Sequence, residues 1–74
     1  MNDVTIRDES IRLGQFLKLA DLAESGAEAR ELVADGAVSV NGETDLRRGR
    51  RLVPGDVVSV AMPGGTRSAR VVLG

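Results

Sequence analysis

The stretch SGAEARELVADGAVSVNG, Ser25 to Gly42, decides the fold. Ser25 and Glu28 stand at the S-x-x-E spacing of a capping box, in which each side chain accepts an orphan amide proton at a helix start. Ala29, Leu32 and Val33 then form an apolar stripe at helical spacing. Gly36 stands where a helix commonly ends on a left-handed residue. These signals predict a helix over about 26–35. Val38-Ser39-Val40 alternates as a strand does, and Asn41-Gly42 is the pair best suited to a type I′ hairpin turn, whose two central residues need positive φ. Helix, stop, strand and turn follow one another with almost no slack.

Upstream, residues 3–7 alternate weakly and predict a short leading strand. Asp8-Glu9-Ser10 supplies helix-start chemistry, and Leu13, Phe16, Leu17 and Ala20 share one face, so a first helix is predicted over about 10–22. Gly14 weakens it. The short link between the helices implies a tight pair. Downstream lies Arg47-Arg48-Gly49-Arg50-Arg51, the densest positive charge in the chain. Gly49 is expected to let this run bend. Pro54-Gly55 signals a turn, residues 57–61 a strand, Pro63-Gly64-Gly65 a second turn, and residues 68–73 a return strand. The layout is α+β: a helix–loop–helix packed on a small antiparallel sheet, with residues 1–74 forming one domain.

Composition narrows the function. The chain has 74 residues, no Cys and no His. That removes disulfides, thiolate metal sites, and the commonest acid–base catalyst and metal ligand. Phe16 is the one aromatic residue, so the core must be aliphatic. No apolar run approaches a membrane span and no signal peptide is evident, which makes the cytoplasm the expected compartment. The net charge of −1 conceals an asymmetry. Residues 1–35 carry four cations against eight anions, and residues 36–74 carry six arginines against three anions. A cationic half is a steering surface for a polyanion, or a solvated face. The carboxylates fall at helix-surface spacings, with no nucleophile–base pair and no calcium-loop spacing, so no catalysis, metal, cofactor or small-molecule substrate is expected.

The pattern Arg12-Leu13, Phe16-Leu17, Ser25, Ala29-Arg30, Gly36, Val38, Val40 and Asn41-Gly42, closing with Pro54-Gly55-Asp56 and Val57 to Val60, resembles the RNA-binding domain named after ribosomal protein S4. The resemblance covers roughly residues 11–61 and is closest in kind to small stand-alone bacterial members. It implies a helix–loop–helix and strand corner, the αL type of RNA-binding motif, that docks on structured RNA. Carried over residue by residue, it implies RNA contacts at Arg12, Lys18, Ser25, Arg30 and Asn41, and on the loop at Arg47, Arg48, Arg50 and Arg51. The chain departs from the family where many members are basic: Gly26 follows the cap, and Asp21 and Glu24 lie near the helix junction. That departure weakens the helical pair's footprint and moves the expected weight of binding to the arginine loop.

Read by themselves, the loop arginines suit phosphate, which guanidinium groups bind with paired, planar donors. Arg30 is equally suited to an ion pair with Glu31 or Asp35. Ser25 is first a cap and Asn41 first a turn residue. Phe16 belongs to the apolar stripe, which leaves no aromatic platform for stacking single-stranded bases. Recognition of a folded RNA by shape and phosphate is the better fit, with ribosomal RNA, transfer RNA or the ribosome as expected partners. A protein-interaction module for an acidic partner would use the same loop. DNA is disfavoured because both helices are rich in acid.

Overall fold

The computed structural model describes residues 2–74 and contains two helices and two sheets. In chain order the elements are β1 (Asn2–Ile6), β2 (Ile11–Arg12), α1 (Leu13–Leu19), α2 (Gly26–Ala34), β3 (Val38–Val40), β4 (Glu43–Thr44), β5 (Arg51–Leu52), β6 (Val57–Met62) and β7 (Gly65–Leu73). Five strands form one sheet in the order β1-β7-β6-β3-β4, and β2 pairs with β5 in a separate ladder. The α+β expectation is met. The large sheet is mixed, however, because β1 runs parallel to β7 while its other pairs are antiparallel.

Strand alternation sorts the sheet into two faces. Val38, Val40, Val58, Val60, Ala69 and Val71 are buried on the helix side. Ser39, Ser59 and Ser68 align across β3, β6 and β7 on the other, and the hydroxyls of Ser59 and Ser68 are 2.8 Å apart. Leu13, Phe16 and Leu17 of α1, Ala29 and Val33 of α2, and Leu52 of β5 complete an aliphatic core around the single aromatic ring. No helix among the described residues is long and apolar enough to cross a membrane.

The two helices are built differently. α2 matches its sequence signals: the Ser25 hydroxyl accepts from the Glu28 amide at 3.1 Å, and Gly36 ends the helix at φ +76°. The Glu28 carboxylate accepts from the amide of Glu24, one residue ahead of the cap, at 3.2 Å. α1 is shorter than the predicted span of 10–22. Ile11 and Arg12 stay extended because they pair with Leu52 and Arg51, so Asp8-Glu9-Ser10 caps nothing. At its other end α1 stops on Asp21 in the left-handed region, φ 60°. There the Leu22 amide donates to the Leu17 carbonyl and the Asp21 amide to the Lys18 carbonyl. This is the Schellman arrangement, with Asp where Gly is usual.

The turns are as read. Asn41 and Gly42 lie at φ 53° and 87° and join β3 to β4, the geometry of a type I′ turn. The Asn41 amide group donates to Asp56 at 3.0 Å, and its oxygen accepts from the Val57 amide at 2.9 Å. The side chain thus ties the hairpin turn to the Pro54-Gly55 turn.

Candidate nucleic-acid interface

An open groove of about 610 Å³ runs between α1, the start of α2 and the arginine loop. Four of its lining residues are cationic: Arg12, Lys18, Arg30 and Arg48. No carboxylate lines it. Among the described residues, none of these four cations forms an ion pair. The remaining wall is Gln15 and the small residues Gly14, Gly26, Ala27, Ala29 and Gly49, which leave backbone close to the opening. Four like charges gathered without counter-charge produce a concentrated positive potential.

Each cation arrives by a different route. Lys18 stands in the last turn of α1, where a cation also complements the negative end of the helix dipole. Arg30 projects from α2, and the ion pair considered for it with Glu31 or Asp35 is not formed. Arg12 precedes α1, and its guanidinium donates to the Gly49 carbonyl at 2.9 Å. Arg12 also faces Arg51 across the β2–β5 ladder. Residues directly opposite in an antiparallel pair share a face, and like charges there are destabilising. Leu52, next to Arg51, is buried on the opposite face.

Arg48 reaches the groove because of Gly14. A Cβ on residue 14 would stand 2.6 Å from Arg48 Cγ and 3.2 Å from its Cδ. The glycine expected only to weaken the helix is therefore where the loop's side chain lies against it. Backbone bonds secure the same contact: the Leu13 amide donates to the Arg50 carbonyl at 2.8 Å, and the Gly14 amide to the Arg48 carbonyl at 2.9 Å. The loop thereby caps α1, which explains a helix start with no capping side chain. Gly49 has no comparable role. Its φ is not positive, and an added Cβ would meet nothing within 4 Å.

The arginine run divides in two. Arg47 and Arg50 turn to Asp45, which is only 5% exposed and covered in part by their guanidinium groups. Arg47 donates from its amide at 2.8 Å, from Nε at 3.1 Å and from Nη2 at 3.0 Å, while Arg50 donates from Nη1 at 2.9 Å. The Arg47 side-chain hydrogen bonds, opposed by burial but helped by the Arg47 amide and Arg50, hold the Asp45 carboxyl well below the usual carboxylate range. Asp45 raises the Arg47 pKa in return. Of the four loop arginines only Arg48 lines the groove, whose other cations come from β2 and the two helices. Ser25 sits just outside the groove as a cap, ahead of the lining residue Gly26, and both polar ends of Asn41 are occupied within the protein. Sequence reading missed Gly14 and Asp45. The available signals were a Gly in a helix's first turn and an Asp two residues ahead of an arginine.

A helix pair against a mixed sheet, opening on a cationic groove, defines a small nucleic-acid-binding type of α+β module. The S4 domain profile matches residues 4–68, and the chain belongs to the S4 domain family. Among its relatives is the probable ribosome maturation protein RlbA of Bacillus subtilis (strain 168), 51% identical over 59 residues, a match covering 80% of this chain and 83% of that protein. Another is the "Putative RNA-binding protein YbcJ" of Escherichia coli (strain K12), 39% identical over 51 residues and matched over 69% of this chain and 73% of its own. The solved 30S ribosomal protein S4e of Thermoplasma acidophilum is similar with a TM-score of 0.55 and 28% identity, over 73% of this chain and 29% of that one.

Proposed function

We propose that this chain binds structured RNA, without catalysis, by seating the sugar–phosphate backbone in the groove between the helix pair and the arginine loop. The observation that carries this reading is the composition of the groove: Arg12, Lys18, Arg30 and Arg48 line it, and no carboxylate does. Phosphate contacts dominate nucleic-acid affinity, and guanidinium groups bind phosphate with paired donors. The two first amides of α2, at Gly26 and Ala27, have no intrahelical acceptor by helix geometry and lie along the same wall. They add a partial positive charge at the place where phosphate would pass.

The buried position of Phe16 favours a folded target over a single strand, since no aromatic ring is available for stacking. The family and the names of the relatives support ribosomal RNA, or another folded RNA such as transfer RNA, encountered in the cytoplasm during ribosome assembly.

The test is binding of a fluorescently labelled RNA hairpin to single alanine variants. Arg12→Ala, Lys18→Ala, Arg30→Ala and Arg48→Ala should each weaken binding several-fold at low salt. Arg67→Ala, in a separate pocket lined by the carboxylates Asp21, Glu24 and Glu28, should leave it unchanged. Equal loss at Arg67 and in the groove would remove the site assignment.

A further inference from the structure

We propose that Asp45 is a specificity-determining residue, which withholds Arg47 and Arg50 from unstructured RNA and so favours folded targets. This rests on the RNA-binding reading above and adds to it a means of discrimination.

The geometry supplies the reason. Arg47 spans both carboxylate oxygens of Asp45 with Nε and Nη2, and its own backbone amide bonds the same group. Arg50 closes on the other side of Oδ2. Two guanidinium groups are thereby fixed in place and share one negative charge. Arg47 is nevertheless 74% exposed, so burial does not hold it back; the carboxylate does. Arg48, one residue on, has no such partner among the described residues and lies in the groove.

Unstructured RNA gains affinity from mobile cations that follow a flexible backbone, each contact releasing counterions. A folded RNA presents phosphates at fixed positions and gains from cations already fixed to match. Holding two arginines on a buried carboxylate lowers the first kind of binding. In the groove, Arg12 is held on the Gly49 carbonyl and the Arg48 stem lies against Gly14, so these cations stand preset for the second.

The test compares an RNA hairpin with an oligouridylate of equal length, by anisotropy across a salt series. Asp45→Asn keeps the size of the side chain and removes its charge. For each arginine freed it should tighten oligouridylate binding about fivefold near 0.1 M salt and steepen the salt slope by about 0.7. Hairpin binding should not gain in proportion, so the ratio of the two affinities falls. Arg47→Lys is the second variant, placed at an exposed position that the fold tolerates. It keeps the charge but cannot form the two-pronged bond, so it should shift the ratio in the same direction. Circular dichroism establishes that each variant is folded, and if Asp45→Asn is not, Arg47→Lys decides alone. A hairpin-to-oligouridylate ratio unmoved in the folded variants overturns the inference, as does a wild-type chain that binds both RNAs equally. A wild-type chain that binds neither RNA overturns the functional reading itself.

Discussion

The two helices, nearly equal in length, obtain their ends in opposite ways. α2 is self-contained. Its first turn is closed by Ser25, and its last by Gly36, both within a residue or two of the helix. α1 depends on distant chain. Its first two amides are accepted by the Arg48 and Arg50 carbonyls, more than thirty residues away, and its last turn rests on Asp21 in a conformation that favours Gly. The self-sufficient helix is the scaffold. The dependent one is locked to the loop that delivers Arg48, so the integrity of α1 and the shape of the groove are one property.

The severest way to break this contrast is to release the loop. Asp45→Ala removes the acceptor of four hydrogen bonds and leaves the half-buried Arg50 without its anion. A loss of about 2–3 kcal/mol is expected in chemical denaturation. Hydrogen exchange should speed at the Leu13 and Gly14 amides before it speeds within α2. The same residue sets an acid limit. Because the Asp45 carboxyl is held below its ordinary range in the folded chain, its contribution is complete above about pH 4 and is lost as the pH falls below that value. The difference in melting temperature between wild type and Asp45→Ala should therefore shrink on acidification below pH 4.

Ser25→Ala is the matching break in α2. It should cost about 1 kcal/mol and leave the exchange of Leu13 and Gly14 unchanged. Asp21→Gly sharpens the contrast from the other side. Relieving the left-handed Asp should raise stability by about 0.5 kcal/mol, since the strain removed exceeds the added freedom of the unfolded chain. Gly14→Ala should alter stability least, because the better helix former offsets the contact with Arg48. It should nonetheless weaken RNA binding by displacing that side chain.

The same contrast sets what the sequence could reveal. α2, the Asn41-Gly42 hairpin and the Pro54-Gly55 turn were readable because their determinants are local and chemically distinct. The bounds of α1 were not, because β2 pairs with β5 across the chain and overrides the helix-start residues Asp8, Glu9 and Ser10. The parallel pairing of β1 with β7 was likewise beyond local signals. Arg12, Lys18, Arg30 and Arg48 could each be named as candidates from charge and family pattern. Their convergence on one groove depends on Gly14 admitting the Arg48 stem, a contact that no periodicity encodes. Arg47 and Arg50 looked equivalent to Arg48 in sequence, and only the placement of Asp45 separates them.

The salt dependence of RNA hairpin binding reaches the central claim most directly. Four groove cations that neutralise four phosphates should give a linear fall of log affinity with log salt, with a slope of roughly −2.8 to −3.6. Replacing Arg12, Lys18, Arg30 and Arg48 together by Ala should remove most of that slope while the chain stays folded. A folded fourfold variant with an unchanged slope would show that the phosphates lie elsewhere.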